Sequence, residues 1–310
     1  MSFFDTPESV EKHSESDCGG GVRYGLSSAQ GYRKEMQDDY NAIAGFPQLT
    51  NNVSWFAVFD GHGGSNVSKF CAKELIKSLE TNEELMKALE NEHRIGGKEL
   101  MKTVKKSIHQ SFLDTDEKVK TIEKSKDSGS TAVCVLITQT HIIMSNCGDS
   151  RGMICAKITD HEGNLVCKPI LTTTDHKPDT PSELERIKAA NGYVFNNRVR
   201  GVLGVSRSFG DFKYKSDKKF GVLQQMLSPE PDFYMKLREP NIDEFLVLAC
   251  DGVWDVMSPE EVCDYIYLQI RNPSSDLKSV ADEIVDLCLG KGSMDNITVI
   301  IIDLHPSTVK

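Results

Sequence analysis

The chain has 310 residues, of which 39% are hydrophobic and 26% charged, an ordinary globular composition that excludes disordered and fibrous proteins. Its formal net charge of −10 argues against a nucleic-acid partner, because such partners need a clustered basic surface. The nine cysteines include no Cys-x-x-Cys pair, which favours free thiols in a reducing compartment. No secretory signal or membrane span is visible, and Ser2 excludes a myristoyl anchor. We therefore expect a cytoplasmic or nuclear protein.

The first part of the chain contains a polar start, one strand and two helices. Residues 1–21 are polar and end in three glycines, which predicts a flexible lead-in. The run 54–60 is short, apolar and rich in aromatic residues, as in a buried strand. A helix is predicted over 65–79, and a second where apolar residues recur at three- and four-residue spacing over 100–112.

The rest of the chain repeats these patterns in clusters. Further strands are predicted at 131–137, 141–146, 245–249 and 297–302, and further helices at 180–191, 259–270 and 276–289. The first two of these strands are joined by a few polar residues, which predicts an antiparallel hairpin. Strict strand–helix alternation is absent, so an antiparallel α+β layered fold is favoured over a doubly wound sheet. We expect one domain over 22–305 and a tail at 306–310.

Acidic residues stand at the ends of several apolar strands, namely Asp60, Asp149, Asp251 and Asp295. A carboxylate at a buried strand end costs on the order of several kcal/mol unless it is paired, hydrogen-bonded or bound to a metal. Any one of them alone also fits a turn or cap residue. No matching set of Lys or Arg lies at the same ends, and His and Cys are few, so Mg²⁺ or Mn²⁺ is favoured over Zn²⁺ or copper.

Two further segments are candidates for the same site. In Asp60-Gly61-His62, the aspartate can bridge two metals and the glycine carbonyl can be a ligand because no side chain blocks it. His62 is either an ordinary core or surface histidine or, beside a metal ligand, a general acid. Arg33 is either a surface ion-pair partner or a guanidinium fork that holds a phosphoryl group, and the residues alone leave both alternatives open.

Short motifs in a fixed order extend from Arg23 to about Leu304. They are Arg-Tyr-Gly-Leu-Ser-Ser-Ala-Gln-Gly-Tyr-Arg (23–33), Phe-Ala-Val-Phe-Asp-Gly-His-Gly-Gly (56–64), Ser-Gly-Ser-Thr-Ala (128–132), Asn-Cys-Gly-Asp-Ser-Arg (146–151), Asp-His-Lys-Pro (175–178), Val-Ser-Arg-Ser-Phe-Gly-Asp (205–211), Ala-Cys-Asp-Gly-Val-Trp-Asp (249–255) and Gly-Ser-Met-Asp-Asn (292–296). With these motifs the chain resembles the metal-dependent protein serine/threonine phosphatases of type 2C along nearly its whole length.

The resemblance implies a fold and a set of site residues. The fold would be a β-sandwich of two antiparallel sheets flanked by helices, a four-layer αββα arrangement with the metals at one end. Two Mn²⁺ or Mg²⁺ ions per subunit and a weaker third ion are implied. The family pattern assigns Asp60, Gly61, Asp251 and Asp295 to the two ions, Asp38 through metal-bound water, Asp149 to the third ion, Arg33 to phosphate binding, His62 to general acid catalysis, and Thr131, Gln37 and Asn296 to supporting roles.

The reaction implied is hydrolysis of phosphoserine and phosphothreonine in phosphoproteins. A water bridging the two ions would attack phosphorus directly, with no phosphoenzyme. Because an alkoxide is a poor leaving group, a proton from His62 would speed its departure. We expect phosphoprotein substrates as the partners and a monomeric enzyme.

This chain departs from the family pattern at one position and has one variable segment. Gln37 stands where the family usually has Glu, and the lost charge is expected to weaken metal affinity and raise the Mn²⁺ requirement. Full activity at micromolar Mg²⁺ would count against that expectation. The segment 206–227, with Lys213, Lys215, Lys218 and Lys219, corresponds to a variable flap near the site that either selects substrates or is a solvated basic loop.

Three competing functions fit the sequence less well. A pseudophosphatase of the same fold typically lacks metal-binding aspartates, whereas Asp38, Asp60, Asp251 and Asp295 are all present here. A two-metal nuclease would need the basic surface that this acidic chain lacks. A calcium-binding module would need an EF-hand loop, and no such loop occurs in the sequence.

Overall fold

The structure of the protein, a computed structural model, describes residues 10–271 and 275–305. The predicted tail at 306–310 and the first nine residues of the predicted lead-in lie outside this range. The described strands are β1 Lys12–Gly19, β2 Val22–Ala29, β3 Asp39–Ile43, β4 Ser54–Phe59, β5 Gly61–His62, β6 Gly129–Ser130, β7 Ala132–Ile137, β8 His141–Cys147, β9 Arg151–Thr159, β10 Leu165–Thr172, β11 Val194–Phe195, β12 Arg198–Val199, β13 Phe209–Gly210, β14 Asp232–Leu237, β15 Asp243–Ala249 and β16 Ile297–Asp303. The helices are α1 Asn66–Glu80, α2 Glu83–Glu90, α3 Glu92–Ile95, α4 Gly97–Val119, α5 Pro181–Ala189, α6 Asp251–Trp254, α7 Pro259–Ile270 and α8 Leu277–Gly290.

Two antiparallel sheets form the centre of the molecule. One has six strands in the order β1-β2-β16-β15-β9-β10, and the other has five in the order β14-β8-β7-β4-β3. The predicted hairpin of β7 and β8 is confirmed, with Val133 opposite Asn146. Two smaller units accompany the sheets: the three-stranded β13-β6-β5 and the hairpin β11-β12.

Strand β4 shows why the layers form. Its residues are buried on both faces, so the strand is a continuous apolar run rather than an alternating one. Trp55 and Phe59 belong to the core shared with α1, α2 and α4, whereas Phe56 and Val58 belong to the core between the two sheets. Successive side chains of a strand point to opposite faces, so this one strand contributes to two layers of core.

The outer helices complete four layers. Helices α7 and α8 pack on the six-stranded sheet through a core that includes Ile266, Ile284 and Val299. Helix α7 begins where the sequence predicts, because Ser258 and Glu261 form a capping box and Pro259 occupies the first turn. The αββα sandwich implied by the resemblance is therefore confirmed. Within the described part of the chain, no helix has both the length and the apolarity to cross a membrane.

The structure differs from the sequence analysis at the predicted lead-in. Residues Lys12–Gly19 form edge strand β1, which pairs antiparallel with β2 over its full length. Its side chains are largely exposed or half-buried, so apolar periodicity cannot reveal it. Polar contacts hold it instead: the Lys12 ammonium lies 2.5 Å from Asp286, and the Ser14 hydroxyl donates to Asp282 on the same helix α8.

Candidate metal centre

The acidic residues predicted at strand ends meet at one end of the sandwich. Asp60, Asp149 and Asp251 follow β4, β8 and β15, which run toward this end. Asp38 and Asp295 precede β3 and β16, which start from it. Because neighbouring strands are antiparallel, the ends of one set and the beginnings of the other lie side by side.

Three of the carboxylates form a tight group. One ligand oxygen from each of Asp60, Asp149 and Asp251 lies within 4.8 Å of the others. They face a cleft of about 310 Å³ that is also lined by Arg33, Gln37, Gly61, His62, Thr131, Arg198, Leu203, Gly204, Val205 and Asp295. The cleft thus brings these predicted site residues together, whereas Asp38 is buried and does not line it.

Burial and mutual repulsion raise the pKa values of this cluster. Burial, followed by the charges of Asp149, Asp295 and Asp255, raises the pKa of Asp251 to about 8. Burial raises the pKa of Asp60 well above its usual value, and the neighbouring carboxylates raise it further. The pKa of Asp38 rises to about 7, mainly by burial and despite the hydrogen bond that Thr298 donates to it.

A divalent cation fits this arrangement. Neither Asp60 nor Asp251 has an ion-pair partner among residues 10–271 and 275–305. Lys177 neutralises only Asp149, with 2.5 Å between Nζ and Oδ2. Hard oxygen donors that are crowded together and lack counter-charge match Mg²⁺ or Mn²⁺, and such an ion reverses the repulsion that raises their pKa values.

Asp295 is placed differently from the other predicted ligands. It is outside the three-carboxylate group, and its Oδ2 accepts a 2.5 Å hydrogen bond from Nη2 of Arg33. The Arg33 side chain is more than half exposed, so the rest of its guanidinium faces the cleft. The ion pair and the phosphate-binding role that the sequence left open are therefore compatible in one side chain.

The loop that carries Arg33 is fixed by Asn296. The side-chain amide of Asn296 donates to the carbonyls of Gln30 and Glu35, and its Oδ1 accepts from the backbone N–H of Gln37. A Cβ on Gly61 would lie 2.2 Å from the Gln37 carbonyl oxygen, so only glycine lets this loop pack against the strand end that bears Asp60. Gln37 itself lines the cleft.

His62 has a partner that the sequence analysis missed. Its Nε2 lies 2.7 Å from Oδ2 of buried Asp211, which also accepts a hydrogen bond from Ser208. Burial lowers the pKa of His62, but Asp211 outweighs it, so the net pKa is raised, and the pKa of Asp211 is lowered in return. A Cβ on Gly129 would lie 2.2 Å from the same carboxylate oxygen, so this close approach needs glycine. The motif 205–211 contained Asp211 but assigned it no role.

Thr131 lines the cleft and forms hydrogen bonds to two neighbouring segments of the site. Its backbone N–H donates to the carbonyl of Asp60, and its hydroxyl shares a 2.7 Å hydrogen bond with Ser150. Both residues are buried, so the hydroxyl pair connects the junction of β6 and β7 with the turn between β8 and β9.

Of the two alternatives for the segment 206–227, the structure favours the solvated basic loop: Lys213, Lys218 and Lys219 are exposed, and Lys215 is the exception. Lys215 is buried and paired with Asp116 on α4, and Lys213 pairs with Asp127. None of the four lysines of this segment lines the cleft. Arg198 and residues 203–205 line the cleft instead.

Comparison with known proteins identifies this arrangement. The family model described as "Protein phosphatase 2C" matches residues 22–297. The chain belongs to the protein phosphatase 2C family. Members of this family are serine/threonine protein phosphatases that need metals, so this chain is a metal-dependent phosphatase.

Individual relatives agree with the family assignment. The chain is 42% identical to "Protein phosphatase 1A" of Homo sapiens over 97% of its own length and 75% of that protein. It is equally similar to "Protein phosphatase 1B" of Rattus norvegicus, with the same coverage. The fold of this protein phosphatase 2C member matches a phosphatase from Toxoplasma gondii, with a TM-score of 0.75, 23% identity and 97% coverage of both chains.

Proposed function

We propose that this chain hydrolyses phosphoserine and phosphothreonine in phosphoproteins at the cleft between Arg33 and the three-carboxylate group. The observation that carries the proposal is the cluster of Asp60, Asp149 and Asp251, crowded within 4.8 Å beside an arginine and a histidine. An anionic substrate enters such a cleft only when cations offset the carboxylates. The family's need for metals fits that requirement.

The residues that would hold these cations follow from the cleft. We assign Asp60, the Gly61 carbonyl, Asp251 and Asp295 to two Mn²⁺ or Mg²⁺ ions, Asp38 to the same ions through metal-bound water, and Asp149 to a weaker third ion. When bound, the two ions lower the pKa of a water and neutralise phosphoryl oxygens, which is the chemistry that direct hydrolysis without a phosphoenzyme requires.

The protein's own groups position the substrate and move a proton. The guanidinium donors of Arg33 that Asp295 leaves available would bind the phosphoryl oxygens. The His62 side chain is 27% exposed at the edge of the cleft. In its imidazolium form Nε2–H donates to Asp211, and Nδ1–H is then available to protonate the departing serine or threonine oxygen.

A substitution at the carboxylate cluster tests the proposal. Hydrolysis of a phosphothreonine peptide is measured with Mn²⁺, with Mg²⁺ and with EDTA, for wild type and for Asp251→Asn. Asp264→Asn, an exposed carboxylate on α7 paired with Lys168, is the matched control. We expect activity with either ion, none in EDTA, a large loss in Asp251→Asn and none in the control. Activity that persists in EDTA, or in Asp251→Asn, would overturn the proposal.

The state of the cysteines supports a proposal for the cellular compartment. Eight of the nine cysteines are buried and all nine are free thiols, which supports a reducing compartment, the cytoplasm or nucleus. We propose that the enzyme acts there as a monomer on phosphoprotein substrates.

A further inference from the structure

Hairpin β11-β12 and the loop after it form one wall of the catalytic cleft. Arg198, at the start of β12, lines the cleft together with Leu203, Gly204 and Val205. The same cleft is lined by the catalytic candidates Arg33, Asp60 and His62. A phosphoresidue bound in the cleft therefore lies close to the hairpin, and the residues that flank it can contact the hairpin.

One face of the hairpin is anchored in the protein. Val199 belongs to a small core with Ile187, Tyr214 and Leu227, and Val194 packs against it. Phe195 is the direct partner of Arg198 across the two strands. Because residues alternate between faces of a strand, Phe195 and Arg198 share the opposite, outer face.

The hairpin and the residues that flank it expose large apolar side chains. Tyr193, Phe195 and Val202 are 57%, 63% and 61% exposed. Single exposed apolar residues are normal, but three within ten residues at the edge of a cleft are typical of an interaction surface. The turn between the strands is tight, since Asn196 and Asn197 both have positive φ values, so the aromatic side chains are presented by a defined backbone.

The charge of the hairpin is opposite to that of the cleft. Arg198 and Arg200 are exposed, and neither has an ion-pair partner within the described part of the chain. Nη1 of Arg198 instead donates to the carbonyl of Val202, 2.8 Å away, which keeps the guanidinium on the cleft side of the hairpin. An apolar face flanked by two arginines complements a peptide that combines negative charge with a bulky apolar residue.

We propose that the outer face of hairpin β11-β12 binds the substrate segment next to the phosphoresidue and selects segments with a bulky apolar side chain and an acidic neighbour. The apolar side chain would pack on Phe195 and Tyr193, and the acidic one would pair with Arg200. The inference rests on the proposed function and specifies its substrate class.

The experiment compares matched phosphothreonine peptides. One series carries Leu at the second to fourth position on either side of the phosphothreonine, with Glu beside it, and the reference series carries Ser at all those positions. The ratio of kcat/KM for the best Leu peptide to the Ser peptide is measured for wild type, Phe195→Ser and Tyr193→Ser. Leu268→Ser, on α7 and 68% exposed, is the matched control.

We expect wild type to prefer the Leu peptide about tenfold, because partial burial of one leucine contributes about one power of ten in binding. Phe195→Ser should bring the ratio close to one through a higher KM, Tyr193→Ser should lower it severalfold, and Leu268→Ser should leave it unchanged. A wild-type ratio near one, or a preference that both hairpin variants retain, overturns the docking surface alone. If wild type cleaves p-nitrophenyl phosphate but none of the phosphopeptides, the proposed function fails and the docking surface fails with it.

Discussion

Asp211→Asn isolates the contribution of the carboxylate behind His62. The substitution keeps the shape of the side chain but removes the charge that lies 2.7 Å from Nε2 of His62. A hydrogen bond to a charged group contributes about 1.5–3 kcal/mol, which corresponds to about 10- to 150-fold in rate if it is needed to orient the imidazole in the transition state. Asp211 touches His62 rather than substrate, so it is a positioning residue.

The assay uses two leaving groups at saturating Mn²⁺. For a phosphothreonine peptide, whose alkoxide must be protonated as it leaves, we expect kcat to fall about 10- to 150-fold. For p-nitrophenyl phosphate, whose phenolate leaves without a proton, we expect a change of less than about threefold. Asp127→Asn removes an exposed carboxylate that pairs with Lys213, two residues from Asp211, and should leave both rates unchanged.

Non-additivity gives a second criterion. If Asp211 acts only through His62, the double variant Asp211→Asn/His62→Gln should be no slower than His62→Gln alone. Equal losses on the two substrates would show that Asp211 supports the fold of the cleft rather than the orientation of the imidazole. An unchanged phosphopeptide rate would refute the reasoning entirely.

Three further predictions concern stability and loop order. The metal-free protein should lose thermal stability as the pH rises from about 4 to about 8, because Asp38 and Asp251, with folded pKa values of about 7 and about 8, hold protons that the unfolded chain releases near pH 4. Scanning fluorimetry in EDTA measures this loss, Mn²⁺ should reverse it most strongly at pH 8.5, and a melting temperature in EDTA that does not fall with pH contradicts it. Asn296→Ala removes three hydrogen bonds of the Arg33 loop, so amide hydrogen exchange in residues 30–37 should become faster and KM should rise about tenfold. The control Asn164→Ala, on an exposed turn, should change neither quantity. Unchanged exchange in Asn296→Ala would count against the conclusion that Asn296 fixes the loop. Lys215→Met leaves buried Asp116 without its ion-pair partner and should lower the free energy of unfolding, measured by urea denaturation, by about 3–5 kcal/mol. The double variant Lys215→Met/Asp116→Leu should recover at least half of that loss. A stability of Lys215→Met within about 1 kcal/mol of wild type would show that the fold does not depend on the ion pair.

The sequence predicts strands and helices best where burial shapes the pattern. The strand at 54–59 is apolar on both faces, and α7 begins at a capping box, so both were predicted within a residue. Strand β1 was missed because it is held by backbone pairing and polar contacts. Apolar periodicity reports packing, and an edge strand with little packing gives no such signal.

The residues of the site can likewise be divided into those that the sequence predicts and those that only the structure reveals. The acidic strand ends could be predicted to meet, because antiparallel strands bring chain ends together at one edge of a sandwich. The Asp211–His62 pair could not, because it joins residues 149 positions apart through a three-stranded unit of two-residue strands. The lysines of 206–227 look like a solvated loop in sequence, and only the packing against α4 reveals that Lys215 is buried.

The position of β16 has a consequence for the order in which the enzyme matures on the ribosome. This strand, at Ile297–Asp303, lies between β2 and β15 in the six-stranded sheet and brings Asp295 to the site. Until it emerges, β2 and β15 are both unpaired edges on that side, and chaperones have two exposed strands to protect. Phosphatase activity should therefore appear only after residues 295–303 have been translated and β16 has paired, so a nascent chain that ends before β16 does not dephosphorylate its substrates.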